Sequence, residues 1–327
     1  MQRSSSLRCI SMLAGITCAS LACPTSMAPE VGGDPTPPVP VKTTIAAGAF
    51  HSCGLDEDRR VVCWGEGPDG DCTFDGGWAC GQVDNVIDDR VVDISAGRVH
   101  SCAVLDNGNI RCWGDDSAGQ SSAPEGDFIQ VSAGNKHSCA ISQNGQLVCW
   151  GDNAEGQLSA PSGEFVQIAA GRDHSCALDR EGAIRCWGAG ESGEAGFADE
   201  GQSVAPAGRG YTAVSASGSS GCAIDDDDAL VCWGKNEIGE TSPPSGTFVA
   251  VAAGHDHGCA IDGDGAVQCW GWSADGRTAA PAGRYVHLSA SLGHTCATDG
   301  EGGLDCWGLA DYGATSPPTD FVPYSAN

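Results

Sequence analysis

Basic residues are scarce in this chain: 16 Lys and Arg stand against 43 Asp and Glu, a formal net charge of −27. Such a surface repels phosphate backbones and anionic lipid headgroups, so nucleic acid is not an expected partner and a membrane is reachable only through a covalent lipid. Aromatics make up only 6% of the residues, and long apolar runs are few. Both features argue against one oily helical core and for many short elements joined by turns, for which 48 Gly are available. Local catalytic signatures are missing too. There is no Gly-rich phosphate loop ending in Lys-Ser or Lys-Thr, no zinc-protease His-Glu motif and no convincing nucleophile elbow. The chain therefore reads as a non-enzyme without cofactor or metal.

Cysteine, by contrast, is abundant. Nineteen Cys in one chain suggest an oxidising compartment. The N-terminus agrees: Arg3 and Arg8 precede a short apolar stretch from Cys9 to Ala22, which reads as a signal peptide over residues 1–22. Ser20-Leu21-Ala22-Cys23 partly matches a bacterial lipoprotein cleavage box, with Ser20 where such boxes usually carry Leu. Cys23 is thus a candidate lipidation site, and ordinary cleavage without lipid is the alternative. Residues 23–40 hold Pro35, Pro37, Pro38 and Pro40 among small residues and read as an extended tether. The expected location is extracytoplasmic, either as a bacterial envelope lipoprotein or as a secreted protein.

From residue 41 to 327 the chain repeats. Seven Cys pairs share one spacing, in which the second Cys is followed by Trp-Gly: Cys53 with Cys63, Cys102 with Cys112, Cys139 with Cys149, Cys176 with Cys186, Cys222 with Cys232, Cys259 with Cys269 and Cys296 with Cys306. The unit is 37 residues, with insertions of 12 in the first repeat and 9 in the fourth. In one unit Phe165–Gly171 alternates as a strand, His174–Leu178 is a second, Asp179–Gly182 is turn chemistry and Ala183–Gly188 is a third. If Leu178 faces Ile184 across that turn, Cys176 faces Cys186, within disulfide reach, and Trp187 points to the other face. The same arithmetic holds in all seven repeats, so each pair is expected to be a disulfide. Cys72 and Cys80 pair locally in the first insertion, Cys9 and Cys18 leave with the signal, and only Cys23 remains. Sheets this small form a solenoid or a ring, and a ring leaves no terminal repeat exposed. Phe321–Asn327 repeats the first-strand pattern that Val41–Gly48 already supplies, which predicts overlap where the ring shuts. Pro323 there fits only an edge or bulge. The predicted fold is all-β, a seven-bladed β-propeller of about 37-residue repeats with one disulfide per blade.

Gly171, His174, Ser175, Ala177, Leu178, Gly182, Trp187 and Gly188, with Gly119-Gln120 and Gly156-Gln157, resemble the repeats of the regulator of chromosome condensation family. The short unit is most similar to the secreted bacterial branch, which includes a propeller-type β-lactamase inhibitory protein. The resemblance implies a seven-bladed propeller that grips other proteins with one rim. The Cys pairs depart from the nuclear members, and nucleotide exchange on a nuclear GTPase does not fit an extracytoplasmic chain.

His51, His100, His137, His174, His257 and His294 recur two residues before the first Cys. That recurrence points to a structural role rather than to a catalytic or metal centre, which requires one asymmetric constellation. The acidic turns, such as Asp225–Asp228, are hairpin turns rather than calcium loops. Both insertions follow a Trp-Gly and emerge on one rim. Phe74 and Trp78 lie in the loop between Cys72 and Cys80, and Trp272 occupies a place taken by Asp115, Asp152 or Lys235 in other units. An aromatic that breaks the repeat is the better interface candidate. The expected site is a protein or peptide surface of a monomer, formed by Phe74, Trp78 and Trp272 and ringed by acids such as Asp115 and Asp116. Sugar stacking on Trp78 or Trp272 is one alternative. A lyase or hydrolase site drawing on Asp115, Asp116 and Glu191 is another.

Overall fold

The computed structural model describes residues 43–65, 87, 89–190, 200–310 and 312–324. Twenty-one strands form seven three-stranded antiparallel sheets, each taking three consecutive strands in sequence order. In blade 4 the inner strand is Phe165–Ala170, the middle strand His174–Asp179 and the outer strand Ile184–Gly188. The other inner strands are Ile45–Ala47, Val91–Ala96, Phe128–Ala133, Ala213–Ser217, Phe248–Ala253 and Tyr285–Ala290. Neighbouring inner strands touch all the way round, including that of blade 7 against that of blade 1, so the ring is closed.

The hairpin register is the one the Cys spacing dictates. Leu178 opposes Ile184 and Cys176 opposes Cys186. The disulfides join Cys53 to Cys63, Cys102 to Cys112, Cys139 to Cys149, Cys176 to Cys186, Cys222 to Cys232, Cys259 to Cys269 and Cys296 to Cys306. Six have their Cα atoms 4.0 Å apart and the last 4.1 Å. The two ends of each bond differ in burial. The first Cys sits on the middle strand and is buried in every blade. The second lies on the outer strand: Cys63 is buried, whereas Cys112, Cys149, Cys186, Cys232, Cys269 and Cys306 are half-buried. Seven such bonds, one per blade, mark an extracytoplasmic setting. Each closes a short loop and contributes about 2–3 kcal/mol in the chain-entropy model.

Alternation along the strands builds the core between blades. The Cys face of one blade packs against the Trp face of the next: Cys139 and Ile141 of blade 3 meet Phe165, Ala177 and Trp187 of blade 4. The same cluster recurs between blades 2 and 3 and between blades 6 and 7. The Trp187 indole N–H donates to the Gln157 carbonyl at 2.8 Å, so its polar edge is satisfied by the Gly-Gln loop of the preceding unit.

The free edge of each inner strand presents backbone N–H groups that need acceptors. Side chains of the preceding blade supply many of them. Ser95, Ser132, Ser215 and Ser289 hydroxyls accept from Ala133, Ala170, Ala253 and Ala47 at 2.9, 2.9, 3.0 and 2.9 Å. One step earlier, Asp93, Gln130 and Gln167 accept from Val131, Ile168 and Val214 at 2.9, 3.0 and 3.0 Å. Asp93 also accepts from the Thr43 N–H at 3.2 Å, tying three blades together. Burial with no cation beside it pushes the Asp93 carboxyl up to about 7.

The inner strands enclose a central channel of about 780 Å³. Its walls are mostly Ala, Ser, Gly and Val, side chains too small to fill it.

Candidate functional site

The histidines belong to the frame. His51, His100 and His137 of blades 1 to 3 place Nε2 at 2.7, 2.8 and 2.9 Å from the hydroxyls of Ser101, Ser138 and Ser175, each in the following blade. His257 reaches Thr295 at 2.8 Å, and His294 reaches Ser52 at 2.8 Å across the ring seam. Ser52 and Ser138 spend their hydroxyl protons on the carbonyls of Ala314 and Gln120 at 3.0 and 3.1 Å. Each of these two hydroxyls therefore accepts from its imidazole, which fixes the Nε2–H tautomer there. Burial lowers all six imidazoles: His51, His100, His174 and His257 to about 3, and His137 and His294 to about 4. All six are neutral, and five of them, all but His174, are struts between blades, the structural role their recurrence implies.

Inner and outer strands run the same way, so the loop after each inner strand and the loop after each Trp-Gly share one rim. Backbone bonds join them: Asp115 N–H donates to Val99 and Trp272 N–H to Asp256, at 2.9 and 2.8 Å. Trp272 keeps 44% of its surface exposed. One blade further around the ring, Tyr312 is also exposed and meets Phe50 of blade 1 edge-on, with ring centroids 4.9 Å apart. The two rings close the top of the seam between blades 7 and 1. Trp272, Tyr312 and Phe50 thus form an aromatic arc over blades 6, 7 and 1.

The acids expected around the site have local duties. Asp115 accepts from the Ser117 N–H, the Ser117 hydroxyl and the Gln120 amide at 3.1, 2.8 and 2.7 Å. Asp116 accepts from the Ser121 N–H and the Ser122 hydroxyl at 2.8 and 2.7 Å. Both shape their own loop on this rim. Phe74, Trp78, Cys72, Cys80, Glu191 and Cys23 lie outside the described residues. Among the described residues no group of three or more His, Cys, Asp or Glu could hold a metal ion.

Beside Trp272 the loops of blade 6 depart from the repeat. Arg277 takes the buried place of Gln120 and Gln157, donating to Asp275 at 3.0 Å and to the Leu292 carbonyl at 3.2 Å. His255 Nδ1 is 2.8 Å from Asp256 Oδ1. That bond, with help from Lys235 and Arg277, holds the Asp256 carboxyl below its usual range against the opposing effect of burial.

At the channel mouth on this rim, one repeat position supplies one residue per blade: Ala49, Arg98, Asn135, Arg172, Gly218, His255 and Leu292. None is acidic, in a chain where acids far outnumber bases. Sequence reasoning passed over this position. It was legible as the residue after the recurring Gly, or its Ser replacement in blades 5 and 7, and two residues before each His or its substitute Ser220; only its variation between units sets it apart.

A propeller of this build defines a repeat scaffold, and the repeats themselves can be assigned. The model of the regulator of chromosome condensation (RCC1) repeat matches residues 43–71, 91–120, 128–157, 165–194 and 248–277. The chain is a seven-bladed propeller of the RCC1 repeat family, with five of its seven blades matched by that repeat. Comparison with curated proteins gives no match. Among solved structures, the CRINKLY WD40 ectodomain of the Arabidopsis thaliana receptor kinase ACR4 superposes with a TM-score of 0.65 at 24% identity, covering 86% of this chain and 98% of that one. The ectodomain of the Physcomitrella patens receptor kinase CR4 gives 0.65 at 23% identity, covering 82% and 73%. Prp20p from Saccharomyces cerevisiae, described with its binding to Gsp1p and histones, gives 0.59 at 19% identity, covering 72% and 76%. At these identities the likeness establishes the fold.

Proposed function

We propose that this chain is an extracytoplasmic protein-binding scaffold that grips a polypeptide with the rim bearing Trp272, Tyr312 and Phe50. The observation that carries the reading is the aromatic arc over three consecutive blades, in which Trp272 and Tyr312 are exposed and Phe50 is half-buried. Large rings held on a rigid scaffold bind at low entropic cost and dominate interface energies. Phe74 and Trp78 of the first insertion, which lie outside the described residues, are assigned to the same binding surface as part of this proposal, with Asp115 and Asp116 as its acidic border. The binding of Prp20p to Gsp1p and histones is a precedent for such use of the fold. Cleavage after residue 22 and lipidation at Cys23 would hold the propeller at a bacterial envelope surface on its Pro-rich tether of residues 23–40; without lipid it is secreted. No enzymatic step is assigned, because Asp115 and Asp116 are hydrogen-bonded into their own loop rather than converging on a reaction centre.

Capture from the native envelope and medium tests this. Wild type is compared with Trp272→Ala/Tyr312→Ala, and with Val249→Ser/Val286→Ser at the opposite channel mouth, where both valines are more than half exposed. A polypeptide retained by wild type and the valine variant but lost from the aromatic variant supports the reading. Equal retention by all three, with each folded, refutes it.

A further inference from the structure

The channel mouth opposite the aromatic rim bears a pair of valines that the core does not use. Five inner strands skip one residue in pairing with their middle strand: Val92, Ile129, Val166, Val249 and Val286. Val92, Ile129 and Val166 pack into the clusters between blades 2 and 5. Val249 and Val286, in blades 6 and 7, join none of the clusters formed by the described residues. They stand 65% and 51% exposed beside the channel. Adjoining apolar side chains at a concave mouth favour a covering partner. Blade 1 comes next round the ring, and there Thr43 takes the same repeat position and also lines the channel. Its N–H donates to Asp93 at 3.2 Å, which pins the entering chain at this mouth. Phe165, Phe248 and Tyr285 open the inner strands of blades 4, 6 and 7 one residue earlier and are buried. Blade 1 has Lys42 at that place, and Phe321 from the C-terminal segment supplies the ring instead. The sequence leading into Thr43 therefore carries no ring to anchor it in the blade. It reads Pro37-Pro38-Val39-Pro40-Val41-Lys42 and lies outside the described residues.

We infer that residues 37–42 dock on this mouth of their own propeller, with Val39 and Val41 covering Val286 and Val249. Proline favours the extended polyproline form, in which six residues span about 19 Å. Neighbouring inner strands approach within 8 Å between Cα atoms, so that span reaches from Thr43 past blade 7 to blade 6. Three of the six residues are proline and have no N–H to satisfy, so the segment can lie on apolar side chains without a strand partner. Covalent attachment at Thr43 gives it an effective concentration on the order of millimolar, and modest apolar contact then suffices. The docked segment closes one end of the channel, which becomes a blind pocket open toward Trp272, Tyr312 and Phe50. It also keeps that rim clear of the segment. The docking does not depend on the proposed function; only this consequence does.

Methyl NMR on the full chain with labelled valines tests this. Through-space contacts from Val39 or Val41 to Val286 or Val249 are expected in wild type. A mixed sample that reports only contacts between molecules is expected to show none. In Val39→Ser/Val41→Ser the Val249 and Val286 methyl signals should shift. A soluble paramagnetic agent should also broaden them several-fold more than in wild type, while the valine signals of blades 2 to 4 stay as they are. The same variant should still retain the polypeptide captured by the aromatic rim, so failure of the docking and failure of the proposed function are read separately. The inference is overturned by the absence of these contacts in folded wild type, by contacts between molecules, which would make a second copy the occupant, or by equal broadening in wild type and variant.

Discussion

Phe321 lies against Trp64 with ring centroids 5.3 Å apart, although 257 residues separate them in sequence. In blade 7 the strand-opening Tyr285 meets its own blade's Trp307 in the same way, at 6.4 Å. Blade 1 has Lys42 in that place and an inner strand of only three residues, Ile45–Ala47. The C-terminal segment supplies what is missing. Pro323 bridges Asp56, the Tyr324 N–H donates to the Leu55 carbonyl at 2.7 Å, and the Tyr324 hydroxyl accepts from Arg59 at 3.1 Å. Blade 1 is built from both ends of the propeller, which is how the ring shuts.

Replacing Phe321 by Ala removes a half-buried ring from this seam and is expected to cost about 2–4 kcal/mol of stability, read by chemical denaturation. Gly54 stands where the other six blades have Ala, and a Cβ there would lie 2.6 Å from the Phe321 ring. Gly54→Ala is therefore destabilising alone and much less so in the Phe321→Ala background, a coupling that a double-mutant cycle measures.

Acid should loosen the ring through its histidines. Their folded values of about 3 to 4 lie below the ordinary 6.5, so the unfolded chain binds more protons between those limits. Their contribution to stability is complete above pH 6.5 and is lost as pH falls through the folded values, at about 1.4 kcal/mol per pH unit for each histidine. Asp93, raised to about 7, acts in the opposite sense and stabilises as pH drops from 7 toward 4. Six histidines outweigh one carboxyl, so urea midpoints should fall steadily below pH 6.5. In Asp93→Asn the loss on acidification should begin at higher pH and be steeper.

The strut pattern is broken at two consecutive junctions, on either side of blade 5. His174 is fully buried, and the residue that would carry its hydroxyl partner is Gly221. In blade 5 Ser220 replaces the histidine, and its counterpart in blade 6 is Gly258, so that strut is missing at both ends. Restoring a hydroxyl with Gly221→Ser does not repair the gap, because the new Cβ collides with the Trp233 ring. A lower melting temperature is expected, whereas Ser138→Gly, which deletes a working strut, should cost about 1–3 kcal/mol.

Cys176→Ala/Cys186→Ala is expected to lose about 2–3 kcal/mol while keeping the fold, because six other described disulfides hold the remaining blades. A calorimetric transition that vanishes altogether would contradict blade-by-blade stapling.

Much of this frame was legible in the sequence, since repetition repeats every constraint. The Cys spacing dictates the hairpin register, and the second copy of the first-strand pattern at Phe321 announced the overlap. His, Ser, Trp and Gly-Gln were visible as a motif. Their meaning as one node, with Ser138 and Trp150 both donating to the Gln120 carbonyl, needed the third dimension. The site was less legible. Trp272 stood out because it breaks the pattern, but Tyr312 and Phe50 come together only through the ring closure. Arg98 and Arg172 occupy a variable position 74 residues apart, and nothing in the linear chain places both on one channel mouth. Asp115 and Asp116 drew notice as charges, whereas their geometry is that of loop ties.

Hydrogen exchange on the complex with the captured polypeptide tests the central claim most directly. Binding by the aromatic rim predicts slowed exchange in the loops around Phe50, Trp272 and Tyr312, with the hairpin turns at Asp179–Gly182 and Asp262–Gly265 unchanged. Protection of those turns with the aromatic loops unaffected would place the partner on the opposite rim and contradict the account.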